Sequence, residues 1–249
     1  MLTFTIIQLL ITAGIISDYL QATLATICIN IILAVSLNLI TGFTGQFSLG
    51  HAGFMSIGAY ICALILLRFP TLPGFLAGLL AGAVLAALVG ILVGLPTLRL
   101  KGDYLAIATL GMSEIIRVIL TNLEITNGAA GLSGIPQFVN WFWLYLFSAG
   151  TVLLLVNFLN SSHGRACISI REDEIAAESV GIPVTRYKVI AFTVGAFCAG
   201  IAGGLYASYF YFLKPGTFGF LKSIDVLVIV VLGGMGSMSG SILAAVLLA

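Results

Sequence analysis

Residues 74–94 read GFLAGLLAGAVLAALVGILVG, an apolar stretch without a single charged side chain. A helix needs about 20 such residues to cross the hydrocarbon core of a bilayer, so the stretch predicts a membrane-spanning helix. Small residues recur in it at every fourth position: Gly74, Gly78, Gly82, Ala86, Gly90 and Gly94. Such residues let helix backbones approach closely within lipid, which predicts tight packing against a neighbouring helix. A shorter stripe of the same kind is formed by Gly195, Ala199, Gly203 and Ala207.

The composition of the whole chain agrees with this interpretation. Of its 249 residues, 10 are Lys or Arg and 9 are Asp or Glu, hydrophobic residues make up 60%, and the mean hydropathy is +1.19. A soluble domain averages about 25% charged residues. The 8% found here cannot cover a globule in water, which excludes a soluble enzyme. A net charge of +1 gives no basic field, so nucleic acid is excluded as a partner.

The predicted fold is an all-α, polytopic transmembrane bundle that forms one domain over residues 1–249. About eight apolar runs are long enough to be spans. They cover residues 2–16, 19–41, 47–67, 74–98, 104–121, 138–158, 189–213 and 224–249. Glycines break the third and eighth runs, which predicts interrupted helices. No Lys or Arg precedes the first run, so it is predicted to be a retained span rather than a signal peptide.

Residues 160–188 form the one substantial hydrophilic loop of the sequence. Together with Arg99 and Lys101 it carries most of the basic residues, so the positive-inside rule places it, and both ends of the chain, on the cytoplasmic side. Within it, residues 171–182 read REDEIAAESVGI and predict a short amphipathic helix. Its polar, solvent-facing side would carry Asp173, Glu174, Ala177, Glu178 and Gly181, and its apolar side Ile175, Ala176, Ser179, Val180 and Ile182. Such a helix is suited to docking on a partner, or it lies flat on the membrane.

Two glycine-rich segments interrupt apolar sequence near opposite ends of the chain. Irregular backbone at membrane depth is tolerated only where it is buried in protein or lines a cavity. Paired interruptions point to a substrate path, although tight helix crossings or turns would produce the same pattern. The sequence leaves both interpretations open. The candidate path residues are Gly45, Gln46, Ser48, Gly50 and His51 in the first segment and Gly233, Gly234 and Ser237 in the second.

The remaining ionisable residues predict structural roles. The second histidine, His163, lies in the distant loop, so no metal site can be assembled with His51. Glu114 and Arg117 lie three residues apart, and this spacing allows an ion pair on a helix. The pair Lys222 and Asp225 repeats the spacing, and both pairs are predicted to neutralise themselves near the outer ends of their helices.

Motifs for enzymatic chemistry are mostly missing from the sequence. There is no G-x-x-x-x-G-K-[ST] motif to hold ATP, no G-x-S-x-G and no H-E-x-x-H. The segment 131–134, GLSG, is similar to the serine motif of rhomboid intramembrane proteases. Such an enzyme needs a membrane-embedded histidine after Ser133, and the later histidine is His163, in the charged loop. The protease interpretation remains an alternative.

Five ordered motifs make the chain resemble the LivM-type permeases of branched-chain amino acid ABC importers. They are GFTGQFSLGHAG at 42–53, GAY at 58–60, KGDYLAIATLG at 101–111, GLSGIP at 131–136 and LGGMGS at 232–237. Ala176, Ala177 and Gly181 also match the Glu-Ala-Ala-x-x-x-Gly coupling loop of ABC permeases, with Ile175 in place of the usual Glu and Glu174 one residue earlier. The resemblance covers about residues 20–245. The family usually continues further, so the chain is expected to be shortened at its C-terminal end.

The resemblance implies a permease subunit that translocates branched-chain or other hydrophobic amino acids across the cytoplasmic membrane of a bacterium. It implies four kinds of partner: a second permease subunit, two ATP-binding cassette subunits, a periplasmic substrate-binding protein and the lipid bilayer. ATP would be used by the partners, with no cofactor in this chain. The residues implied for coupling are Glu174, Ala176, Ala177, Glu178 and Gly181. A urea or short-amide importer of the same superfamily and a secondary transporter are the alternatives within transport.

Overall fold

The computed structural model describes residues 8–9, 17–98, 100 and 102–249. The predicted span at 2–16 therefore lies outside the described residues, apart from 8–9, and so do Arg99 and Lys101. The described helices are α1 (Asp18–Asn38), continued by a π-helical turn (Leu39–Phe43), α2 (His51–Arg68), α3 (Leu72–Thr97), α4 (Asp103–Asn122), α5 (Trp141–Asn160), α6 (Ser162–Glu172), α7 (Glu174–Ser179), α8 (Val184–Phe210), α9 (Phe220–Gly233) and α10 (Met238–Leu247). The predicted all-α bundle is confirmed.

The shorter elements connect these helices. Single 3₁₀ turns occupy Glu124–Thr126, Gly128–Ala130 and Pro215–Phe218. Two residue pairs, β1 (Leu132–Ser133) and β2 (Phe212–Leu213), form a minimal antiparallel ladder in which Leu132 pairs with Leu213. This ladder ties the segment before α5 to the end of α8.

In the described part of the chain, 6 helices are long and apolar enough to cross a membrane. They are α1 with its π-helical turn, α2, α3, α4, α5 and α8, and each corresponds to a predicted span. The run over 224–249 is interrupted by glycine as predicted, but it does not form one span, because its two parts are shorter helices, α9 and α10, that fold back on each other. The chain reverses at Gly234 and Gly236, whose φ angles of 89° and 86° favour glycine. The count of about eight spans is not confirmed.

Helices α2, α3 and α8 pack most extensively against one another and form the centre of the bundle. At their crossing, a Cβ on Gly58 would overlap the backbone of Gly200, and a Cβ on Gly82 would lie 2.7 Å from the carbonyl oxygen of Gly58. Every residue of the two small-residue stripes on α3 and α8 is buried. The predicted tight packing is confirmed, and it rests on close backbone contact.

Candidate functional site

The hydrophilic loop folds as two consecutive helices, α6 and α7. Asp173 begins α7, because its Oδ1 accepts the backbone N–H groups of Ile175 at 2.9 Å and Ala176 at 3.0 Å. Gly181, with φ at 86°, ends it, and the N–H of Ile182 donates to the carbonyl of Ala177 at 3.1 Å. The short helix predicted in this loop is therefore present.

The orientation of α7 differs from the amphipathic prediction. Ala177, predicted on the solvent-facing side, is buried against Ile170 of α6 and Val184 of α8. Ile175 and Val180, predicted on the apolar side, are 78% and 75% exposed. A helix of two turns has too little apolar surface to choose its own buried face. The contact with α6 and α8 fixes its rotation instead.

Of the other predicted coupling residues, one makes a contact within the protein and three are exposed. Glu174 forms an ion pair with Lys188 of α8 at 3.0 Å, so it fastens α7 to the bundle. Ala176, Glu178 and Gly181 are exposed, and nothing lies within 4 Å of where a Cβ on Gly181 would be. These three residues, with the exposed side chains of Ile175 and Val180, form a surface that a partner could contact. We call this group of five the α7 surface.

The structure brings the two glycine-rich interruptions together, and the amide of Asn38 joins them. Its Nδ2 donates to the carbonyl of Ser237 at 2.9 Å and to Oγ of Ser241 at 2.8 Å. Its Oδ1 accepts the N–H of Gly236 at 2.8 Å. Sequence reasoning missed Asn38, although an amide side chain inside an apolar run was the available signal. In the structure this side chain is fully buried.

Arg171, at the end of α6, connects the hydrophilic loop to these interruptions. Its Nη1 donates to the carbonyl of Gly42 at 2.9 Å, and a Cβ on Gly236 would lie 2.7 Å from the same nitrogen. Its guanidinium is also paired with Glu172. The guanidinium of Arg171 thus lies beside Gly42, at the start of the first glycine-rich segment, and beside Gly236 of the second. Arg171 was not among the predicted site residues.

The predicted path residues of the first interruption lie mostly inside the protein. Gln46, Ser48 and His51 are buried, whereas Gly45 is exposed. Nε2 of His51 lies 2.8 Å from Oγ of Ser36, and neither polar atom of the Gln46 amide has a hydrogen-bond partner among the described residues.

The glycines of both interruptions make close contacts. A Cβ on Gly50 would lie 2.7 Å from the carbonyl oxygen of Thr109, and one on Gly233 would lie 2.5 Å from that of Gly240. These contacts are those of tight crossings. A role of the interruptions in a path stays a prediction.

The two pairs of acid and base three residues apart behave differently. Glu114 and Arg117 form the predicted ion pair, with 2.7 Å between Oε2 and Nε. The pair predicted at Lys222 and Asp225 is wrong: their charged atoms do not come within 4 Å of each other, and Nζ of Lys222 donates instead to Oδ1 of Asn30 at 3.3 Å. Spacing permits an ion pair, but the neighbouring helix α1 offers Lys222 another acceptor.

The comparisons with known proteins agree with this geometry. Residues 19–249 match the protein family described as the branched-chain amino acid transport system permease component. The chain belongs to this permease family.

Its relatives carry corresponding names. The high-affinity branched-chain amino acid transport system permease protein LivM of Salmonella typhimurium is 42% identical over 255 residues, which cover 88% of this chain and 60% of the relative. The LivH permease protein of Escherichia coli K12 is 27% identical over 247 residues, 87% of this chain and 78% of the relative. This permease thus spans about 60% of the length of the LivM proteins it matches. No solved structure is detectably similar to it.

The geometry of the permease does not assemble the rhomboid-like site. Ser133 pairs with Phe212, just beyond the end of α8, whereas the ring of His163 contacts Tyr187 near the start of the same helix. A helix rises 1.5 Å per residue, so about 35 Å separate the two regions. His163 therefore cannot activate Ser133, and the named relatives are transport permeases.

Proposed function

We propose that this chain is the membrane-spanning subunit of an ABC importer that moves branched-chain and similar hydrophobic amino acids across the cytoplasmic membrane of a bacterium. The match of residues 19–249 to the permease family carries the proposal. The names of the LivM and LivH relatives support the substrate class. The six long apolar helices provide the bundle that such a subunit requires.

Energy would enter through the α7 surface. ATP is used by two separate ATP-binding cassette subunits, and this chain needs no cofactor of its own. The exposed Glu178 and Gly181 would contact the ATPase, whereas Glu174 and Ala177 hold α7 on α8 and α6. ATPase closure would shift α6, and Arg171 would pass the shift to Gly42 and the two interruptions. The bundle would then alternate between two accessible states.

Substrate would arrive from a periplasmic binding protein, and a second permease subunit would complete the path. Under this proposal the hydrophilic loop lies on the cytoplasmic side. A cysteine in place of His163 should then react with a membrane-impermeant reagent only from that side. Ile125, which is 71% exposed, is the matching position for labelling from outside, because its neighbour Thr126 is buried. Labelling of position 163 from outside would invert the arrangement.

The decisive experiment is uptake by the assembled complex. The permease is expressed with ATPase subunits, a second permease and a binding protein from the same organism, purified and reconstituted in proteoliposomes. Uptake of leucine, isoleucine and valine that depends on ATP is the expected result. Uptake of urea or short amides in their place would support the alternative importer, and uptake that needs an ion gradient but no ATP would contradict the proposal.

A further inference from the structure

Helices α1 and α9, with Leu248 just after α10, border an open cleft of about 340 Å³ that contains both charge and apolar surface. It is lined by Asn30, Lys222, Asp225, Val228, Ile229 and Leu248. Asn30 lies midway along the 26-residue span Asp18–Phe43, so one wall of the cleft is the middle of a candidate membrane-spanning helix. Its volume lies at the lower end of the range for small-molecule sites, about 300–1,000 Å³.

The charged atoms of Lys222 and Asp225 do not come within 4 Å of each other, so the two groups form no direct ion pair. Nζ of Lys222 donates to the buried Oδ1 of Asn30 at 3.3 Å, and the carboxylate of Asp225, about one turn further along α9, forms no ion pair with a described residue. An ionisable residue at membrane depth is costly and is usually retained because it contacts a substrate, an ion or a partner. The cleft thus presents one ammonium and one carboxylate separately.

Two other polar groups of the candidate membrane-spanning helices differ from this cleft. Glu114 and Arg117 form an ion pair with each other, with 2.7 Å between Oε2 and Nε. The amide of Asn38 is occupied by the backbone of the second interruption and by Ser241. Of these three groups, only the pair in the cleft leaves both charges available to a ligand.

Resting on the proposed function, we propose that this cleft binds the amino acid during translocation. Lys222 binds the α-carboxylate, Asp225 binds the α-ammonium, and Val228, Ile229 and Leu248 contact the aliphatic side chain. A zwitterion satisfies both charges at once and adds no net charge at membrane depth. A simple amine or a simple carboxylate would leave one of the two groups unpaired, so the same cleft selects against them.

Transport by the reconstituted complex tests the two charges, with leucine as the probe. Lys222→Gln and Asp225→Asn should each lower initial uptake by about tenfold or more, the loss expected for a hydrogen bond to a charged group. ATP hydrolysis stimulated by the loaded binding protein should change by less than about twofold, because neither residue lies on the α7 surface. The matched control is the double variant Glu114→Gln and Arg117→Gln, which removes an equally spaced pair and should transport normally. Normal uptake by both cleft variants would overturn the proposal.

A binding measurement keeps the inference testable if the charge variants do not assemble. Val228→Cys adds a thiol to the cleft, where Val228 is 42% exposed, without removing a charge. Leucine at ten times its half-saturating concentration should slow reaction of this thiol with a small thiol reagent roughly tenfold. Isoamylamine, which lacks the carboxylate, should protect far less.

The outcomes separate the two proposals. If leucine does not slow the reaction of the Val228→Cys thiol and this variant still transports, the cleft proposal is overturned. The proposed function is not affected by that result. A wild-type complex that takes up no branched-chain amino acid would instead overturn the proposed function, and the cleft proposal with it.

Discussion

The glycines at the α2–α3–α8 crossing and the positive-φ glycines of the two interruptions perform different tasks. At the crossing, Gly58 and Gly203 have ordinary helical backbone, and a Cβ on either would overlap the backbone of the facing helix. In the interruptions, Gly45, Gly234 and Gly236 have φ angles of 71°, 89° and 86°, which end or reverse a helix. The first group is required for its small size, and the second for its conformational freedom.

This difference predicts how each group responds to substitution. Where a new side chain meets backbone, the helices themselves must move apart, and overpacking typically costs about 1–3 kcal/mol. Where only φ is unusual, the cost is about 1–2 kcal/mol of local strain, and the packing can survive. Substitutions at chosen glycines can therefore distinguish a requirement for small size from a requirement for a positive φ.

The largest effect is expected at the crossing. Gly203→Ala should lower the free energy of unfolding by about 2 kcal/mol or more, because the added methyl group overlaps the backbone of Met55. Its neighbour Gly204 is the matched control, since a Cβ there would have Cys62 Cβ as its nearest atom at 3.4 Å. Thermal unfolding in detergent measures both variants. Equal midpoints would contradict the assignment of Gly203 to a tight crossing.

A smaller loss of stability is expected at the first interruption. Gly50→Leu should stop transport and reduce stability by about 1–3 kcal/mol, because its side chain must displace Thr109 of α4. Gly150→Leu is the control, as no atom lies within 4 Å of its Cβ position. If Gly50→Leu abolished uptake with an unchanged unfolding midpoint, the residue would belong to a path rather than a crossing.

Substitutions on the α7 surface should affect the coupling of ATP hydrolysis to transport more than they affect the stability of the protein. Gly181→Val should cost about 1–2 kcal/mol of local strain, since φ is 86° and the space beside it is open. Glu178→Lys should cost still less, because Glu178 is exposed. Complexes that contain either variant should hydrolyse ATP without matching uptake of leucine. Gly134→Ala, with φ at 74° and equally open space, controls for backbone strain alone. Wild-type uptake by both Gly181→Val and Glu178→Lys would remove the docking role.

A glycine that is needed neither for its small size nor for a positive φ should tolerate substitution. Gly111 lies inside α4, has no atom within 4 Å of its Cβ position and has no positive φ. Gly111→Ala should therefore leave stability unchanged or raise it by up to about 1 kcal/mol, the difference in helix propensity. A clear loss of stability, measured by the same thermal unfolding, would mean that another subunit packs against this side of α4.

The smallest structural change tests whether the first interruption opens. Ser48→Cys exchanges one atom at a buried position, and its thiol should be inert in this conformation of the protein. Under the path interpretation, trapped ATP or substrate should increase its reaction with a small polar reagent. Inertness in every state, with transport preserved, would assign the interruption to packing.

The native thiol at Cys167 contributes little background to this experiment. Burial raises the pKa of the Cys167 thiol to about 11, although a hydrogen bond with Thr44 acts in the opposite direction. The thiolate is the reactive form, and a raised pKa keeps the group protonated at pH 8. Its reaction should become appreciable only as the pH approaches 11 or when the protein unfolds.

The sequence predicted six spans to within a few residues and the short helix of the hydrophilic loop. Both depend on local information: a run of apolar residues, or a short pattern of polar and apolar residues that ends at Gly181. It also predicted which faces of α3 and α8 pack tightly, because a four-residue repeat of small residues lies on one side of a helix. The structure shows where the predicted coupling and path residues lie, and their roles stay predictions.

The sequence by itself thus determined the class of protein, its main helices and its tight crossings, since each follows from residues that are neighbours in the chain. Tertiary structure alone decided how the last apolar segment reverses at Gly234 and Gly236, and which side of α7 is buried. It also gave Lys222 a partner in Asn30, 192 positions away, in place of Asp225 on its own helix. The physical reason is that spacing limits which groups can meet within a helix, whereas the lowest-energy partner depends on the neighbouring helices.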